Sequence, residues 1–257
     1  MFKKVIDCVP FFKDFDLYEI RLNALAPYVE RFVVLESPLT LQNKPKPLFF
    51  KENMDRFKGF NIQHIVYEPK DSASPMERAW HQLRHMINSV DVAPETMLFV
   101  SDGDEIPNIN VWDGQEGSFA METYFYRFNL FSRKCNWHGT RAILKKTLNK
   151  TDIMPIRRSR TFGNIWSNGG WHFNCLGTIE DIIYKYESNG HEIINTPEHL
   201  AQIRENYKNM VHPIHLVPFG MHIRPKKLVV KTPAGPEWLL QNRDKYKHLF
   251  YDGGVWP

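Results

Sequence analysis

Cysteine is scarce in this chain, and its scarcity sets the first limits. Cys8, Cys135 and Cys175 are odd in number, far apart and without a C-x-x-C pair. That excludes a disulfide framework and a thiolate zinc site, and a reducing compartment is the simpler reading. Long hydrophobic runs are missing too. The start, Met1-Phe2-Lys3-Lys4, briefly has the look of a secretory leader, but Asp7, Lys13 and Asp14 interrupt it. A soluble, cytoplasmic chain with no membrane span is therefore the expectation. Charge of one sign is also in short supply: +4 over 257 residues suits an anionic small molecule such as a nucleotide diphosphate and argues against nucleic acid as a partner. Basic clusters at Arg157-Arg158-Ser159-Arg160 and Lys226-Lys227 read first as solvated faces and second as phosphate sites. Repeats, low-complexity tracts and an interdomain linker are absent, so one domain spanning 1–257 is expected.

What is present alternates. Residues 5–9, 32–35, 62–67 and 97–100 are short apolar runs that read as buried strands. Leu17, Ile20, Ala24 and Leu25 share one helical face that Pro27 ends, and Met76, Trp80, Leu83 and Ile87 share another. Strands alternating with helices predict an α/β fold with a mostly parallel central sheet flanked by helices. The second half differs in texture. Aromatic-rich runs at 119–131 and 141–148 suggest a smaller antiparallel extension, and 161–170 reads as a polar, glycine-rich mobile loop. Helical patterns follow at 179–188, 197–210 and 236–250.

The chemistry is concentrated after the fourth run. Met97-Leu98-Phe99-Val100 delivers Ser101-Asp102-Gly103-Asp104-Glu105-Ile106-Pro107 at its carboxyl end, where open α/β sheets bind ligands. Two carboxylates separated by one small residue can share a divalent cation, which in turn bridges a diphosphate. Gly103 is expected to let the backbone bend so that Asp102 and Asp104 converge. An EF-hand is excluded because the glycine is misplaced and the later ligands are missing.

At this point the chain resembles glycosyltransferase family 17, the transferases typified by β-1,4-mannosyl-glycoprotein 4-β-N-acetylglucosaminyltransferase. The resemblance rests on an ordered series: Asp7-Cys8-Val9-Pro10-Phe11-Phe12, Asp16-Leu17-Tyr18-Glu19-Ile20-Arg21-Leu22-Asn23, Val34-Leu35-Glu36-Ser37, Asn43-Lys44-Pro45-Lys46-Pro47-Leu48, the acidic motif, Gly170-Trp171-His172-Phe173, and Pro236-Glu237-Trp238-Leu239-Leu240-Gln241-Asn242. It implies a GT-A-like nucleotide-sugar fold and inverting transfer of a sugar, GlcNAc from UDP-GlcNAc, to a carbohydrate acceptor with Mn2+ or Mg2+. Residues 1–107 would form the nucleotide-sugar half and 108–257 the acceptor side. Asp102 and Asp104 match the metal and donor motif. Asp7 and Glu36, at strand ends, are donor-binding candidates, or else carboxylates that cap nearby amides. Arg78 could reach the diphosphate, or pair with Glu77 or a neighbouring acid. The run 123–148 matches poorly, and the N-terminal membrane anchor and stem of the family's animal enzymes are not expected here.

Inverting transfer needs a base to take the acceptor's proton. His172 and Glu180 are the candidates, with Trp137 and Trp171 as sugar platforms. Asp181 instead suits a helix-capping pair with Thr178. His191, Glu192, His215 and His222 are further metal-ligand candidates, whereas Tyr124, Phe125, Tyr126 and Phe128 read as strand core. Two other functions compete. A haloacid-dehalogenase phosphatase also sets D-x-D after an apolar strand, but Ile106 stands where Thr or Val is usual, and three strands precede the motif. A lectin-like module would bind free sugar and not nucleotide.

Overall fold

Val5, Ile6, Cys8 and Val9, interrupted only by the equally buried Asp7, are almost completely buried, as a strand covered on both faces must be. The computed structural model describes residues 5–69, 73–133, 137–159, 162–190, 195–213, 227–232 and 234–254. Cys135, Arg160, His191, Glu192, His215, His222 and Lys226 lie outside the described residues.

The strands are β1 (Val5–Pro10), β2 (Val29–Glu36), β3 (Ile62–Val66), β4 (Met97–Val100), β5 (Glu105–Pro107), β6 (Gly117–Tyr126), β7 (Leu130–Phe131), β8 (Trp137–Leu144), β9 (Asn164–Trp166), β10 (Gly170–Leu176) and β11 (Val229–Val230). The helices are α1 (Phe15–Leu25), α2 (Phe49–Glu52), α3 (Pro75–Asn88), α4 (Lys145–Leu148), α5 (Ile153–Arg158), α6 (Ile179–Ser188), α7 (Pro197–Lys208) and α8 (Glu237–Gln241). The sheet runs β11-β7-β6-β8-β4-β1-β2-β3. β4, β1, β2 and β3 are parallel neighbours, and β8 joins them antiparallel through β4 and leads into β6 and β7. The expected architecture is present: a parallel half with helices on both faces, and an antiparallel extension.

Alternation along β1, β2 and β4 sorts their side chains to opposite faces. Val9, Phe32, Val34 and Phe99 pack with Tyr18 and Leu22 of α1. Cys8, Val33, Leu35 and Leu98 pack with Met86 and Ile87 of α3 and with Ile153 and Ile156 of α5. The inward stripe of α3 differs from the expected one. Met86 and Ile87 are buried, Trp80 is only half-buried, and Arg78 turns inward instead. Tyr124, Phe125, Tyr126 and Phe128 are core residues, as expected.

Three expectations about the second half are corrected. The run 119–131 is two strands, because Tyr126 takes a φ of 67° and the chain turns before β7. The run 141–148 leaves the sheet after Leu144 and closes as α4. The segment expected as a loop contains β9, which pairs with β6 from Gly117 to Phe119. Gly170 then starts β10 at a φ of 134°, where a Cβ would lie 2.2 Å from the Ile106 carbonyl oxygen. No helix among the described residues is long and apolar enough to cross a membrane.

Candidate functional site

β4 ends at Val100, and Ser101 to Asp104 form the turn that leads into β5. Gly103 serves close approach and not an unusual backbone angle: a Cβ there would lie 2.7 Å from the Pro10 carbonyl oxygen. Beneath the turn Arg21 of α1 is fully buried. Its guanidinium donates to both Asp7 oxygens, at 2.5 and 2.8 Å, to Ser101 Oγ at 2.7 Å, and to the Glu105 carbonyl. Asp7, also fully buried, therefore supports the motif from below through Arg21.

Asp102 and Asp104 occupy different surroundings. The Asp102 side chain is 48% exposed and accepts from Arg157 Nη2 at 2.6 Å. Burial, with Glu105 and Asp104 nearby, raises its pKa to about 6 against the pull of Arg157; water at the open edge of the side chain tempers that rise. Asp104 is nearly enclosed. Its Oδ2 accepts from Lys185 Nζ at 3.0 Å, and its Oδ1 faces His172 Nε2 at 3.4 Å. Burial alone would raise its pKa, but Lys185 and His172 outweigh it and hold the carboxyl well below the usual range. In turn Asp104 raises the pKa of His172 against desolvation.

Glu105 ties these groups together. It is fully buried; Oε1 accepts from Trp137 Nε1 at 2.7 Å and from Arg157 Nη2 at 3.3 Å, and Oε2 from the Asp102 amide at 3.2 Å and Thr140 Oγ1 at 3.3 Å. Burial opposes its charge, but Arg157 and His172 prevail and lower its pKa. Arg157 comes from the last turn of α5, whose terminal carbonyls, Ile156, Arg157 and Ser159, are collected by the buried guanidinium of Arg141. Placing a cation there also complements the helix dipole.

β10 is the element that completes the site. It pairs antiparallel with β5, so His172 stands opposite Glu105, and it pairs parallel with β6, so His172 stands beside Thr123. The Trp137 ring stacks on His172 with centroids 4.8 Å apart and planes 23° from parallel. Trp137 is the first residue of β8. His172 Nδ1 and Thr123 Oγ1 are buried without a hydrogen-bond partner among the described residues. Trp171 projects to the other face of β10 and packs with Ile106, Tyr124 and Phe173.

The remaining candidates lie further out. Glu36 accepts from the Phe50 and Lys51 amides at 3.0 and 2.8 Å and from His64 at 2.8 Å, which is the amide-capping alternative. Arg78 donates to the Leu41 carbonyl at 2.7 Å and to that of Ala73, and Glu77 is engaged in the Ser74 capping box instead. Glu180 is exposed in the first turn of α6, about 140° around the helix from Lys185. Asp181 forms the expected capping box with Thr178 and also pairs with Lys13 at 2.8 Å.

The structure thus brings together Asp102, Asp104, His172 and Trp137, and it adds Glu105, Arg157 and Lys185. Arg157 had a faint signal, its basic cluster. Lys185 had none, since its link to Asp104 spans 81 residues.

Human and rat β-1,4-mannosyl-glycoprotein 4-β-N-acetylglucosaminyltransferase are each 25% identical to this chain, over 229 and 232 residues and 72% of its length. The matched part is 43% of either relative, so the similarity spans less than half of those proteins. Among solved structures, S. aureus TarS 1-349 aligns over 77% of this chain and 67% of its own, with 12% identity and a TM-score of 0.41. A 4-diphosphocytidyl-2C-methyl-D-erythritol synthase aligns over 65% of this chain and 90% of its own, with 12% identity and a TM-score of 0.39. The family model of glycosyltransferase family 17 matches residues 1–206, and the chain belongs to that family.

Proposed function

We propose that this chain is an inverting, metal-dependent transferase that moves N-acetylglucosamine from UDP-GlcNAc to a carbohydrate acceptor. Family membership supports sugar transfer, and the relatives, N-acetylglucosaminyltransferases by name, support the choice of sugar. The observation that carries the reading is the D-x-D pair at the carboxyl end of β4, one carboxylate half open and the other held ionised.

Among the described residues no group of three or more His, Cys, Asp or Glu side chains forms a metal cage. Two carboxylates nonetheless fit a hard divalent ion of the kind that completes its shell with water and substrate phosphate oxygens. Asp102 and Asp104 would hold Mn2+ or Mg2+, which when bound neutralises charge on the departing diphosphate. Arg157 and Glu105 fix Asp102, and His172 orients Asp104. Asp7, Glu36 and Arg78 act on the donor pocket through what they hold: the motif turn, α2 and the loop at Leu41. Because Arg157, His172 and Lys185 all reach the motif, donor and acceptor work do not divide cleanly at residue 107.

Trp137 offers a ring beside His172 for an acceptor sugar; Trp171 on the opposite face of β10 contributes packing. Of the two candidate proton acceptors, His172 buries its Nδ1 and Glu180 is exposed but on the side of α6 away from Lys185, so the Glu180 variant decides between them. The test is release of UDP from a panel of UDP-sugars, with acceptor glycans, in manganese. UDP-GlcNAc is expected to be preferred. Asp104→Ala should lose activity, and Glu180→Gln should lose about 100-fold in transfer while still binding UDP. Full activity in Asp104→Ala would refute the donor-site assignment; full activity in Glu180→Gln would remove Glu180 as the base.

A further inference from the structure

Both oxygens of the Asp104 carboxylate already face side-chain nitrogens, one of them the Lys185 ammonium. Oδ2 holds Lys185 Nζ at 3.0 Å and Oδ1 holds His172 Nε2 at 3.4 Å. Lys185 has a second carboxylate within reach, Asp14 Oδ2 at 3.5 Å, and its side chain is 24% exposed. The helix that carries it is fastened independently of this contact. Tyr184 stacks on Phe12 at 5.4 Å, Asp181 pairs with Lys13 at 2.8 Å, and the Ser188 carbonyl accepts from the Leu41 amide at 3.1 Å. The ammonium can therefore move while α6 stays in place, because a flexible four-carbon stem joins them.

A divalent ion and the Lys185 ammonium compete for the same oxygen. We propose, building on the donor-site reading above, that Lys185 is a placeholder cation: it occupies the inner carboxylate of the D-x-D pair until metal and donor diphosphate arrive together. The incoming diphosphate offers Lys185 new anionic oxygens, and Asp14 keeps it anchored, so Asp104 is released to the metal. No bond is made or broken in this exchange; one ion pair replaces another. The consequence is conditional metal affinity. Without nucleotide, a metal must displace a well-placed ammonium, and with nucleotide that ammonium has an alternative partner. Lys185 is thus a positioning residue that couples metal binding to donor binding. Such coupling is reciprocal, and UDP affinity must rise with metal by the same factor.

The test is titration of Mn2+ into the protein, followed by electron paramagnetic resonance of the free ion, with and without UDP. In the wild type UDP is expected to tighten Mn2+ binding by roughly 10- to 100-fold, within the usual range for coupled sites. Lys185→Met should bind Mn2+ alone about tenfold more tightly and lose most of the UDP enhancement, whereas Lys185→Arg should keep it. Lys58→Met, which removes an exposed lysine paired with Asp55, controls for net charge and should behave as wild type. Asp14→Asn, a second variant independent of the Lys185 side chain, should weaken Mn2+ binding in the absence of UDP. Unchanged Mn2+ affinity and unchanged enhancement in Lys185→Met would overturn the placeholder role and leave the donor site standing. Absence of any UDP enhancement in the wild type would overturn the donor-site reading itself.

Discussion

At the scale of single residues, the acidic motif is held in place by charges that come from distant parts of the chain. Asp102 and Asp104 were legible because their spacing and the preceding apolar run are local signals. Arg21 and Lys185 were not, and Arg157 only faintly through its basic cluster, since nothing in a linear pattern says which of 33 basic residues will fold inward. Arg21 is the strongest case. It reads as one more polar position on an amphipathic helix, yet it is fully buried against Asp7 and beneath Ser101. Replacing it leaves the Asp7 carboxylate buried without its partner. Arg21→Met is therefore expected to cost about 3–5 kcal/mol, measured by denaturant unfolding. A loss below about 1 kcal/mol would show that the pair does not support the motif.

At the scale of elements, the apolar runs and caps predicted most strands and helices, because periodicity and capping are encoded within a few residues. α6 begins where Thr178 and Asp181 say it should. The failures share a cause. β9 is exposed at Asn164 and Ile165 and has no apolar alternation, so only its pairing with β6 makes it a strand. The break after Tyr126 likewise depends on a left-handed backbone that no local residue preference announces. Glu36 shows how a strand end positions a neighbouring element. Its carboxylate takes the Phe50 and Lys51 amides of α2 together with His64. Burial opposes its charge, but His64 and those amides outweigh it and hold the pKa below the ordinary 4.5. The folded-state pKa is the lower one, so the stabilisation is complete above about pH 4.5 and is lost as pH falls through the lowered value. Glu36→Gln should cost about 1–3 kcal/mol at neutral pH and show a smaller drop in stability on acidification. Equal acid sensitivity in both proteins, by thermal unfolding between neutral pH and the acid range, would contradict that role.

At the scale of the whole molecule, the sheet brings two different kinds of strand to one site. The parallel half supplies β4 and the motif, as the alternation of strands and helices led one to expect. The antiparallel part returns β10 alongside β5 and sets His172 and Trp137 over the carboxylates. That convergence places residues from both sides of position 107 at the motif. It also sets the most direct test of the central claim, that Asp102 and Asp104 form a metal-assisted donor-diphosphate site. The measurement is calorimetric binding of UDP, with and without Mn2+, to the wild type and to Asp104→Ala. UDP binding that requires Mn2+ in the wild type and disappears in Asp104→Ala is the predicted result. No UDP binding with Mn2+ present, or equal binding by the two proteins, would contradict it.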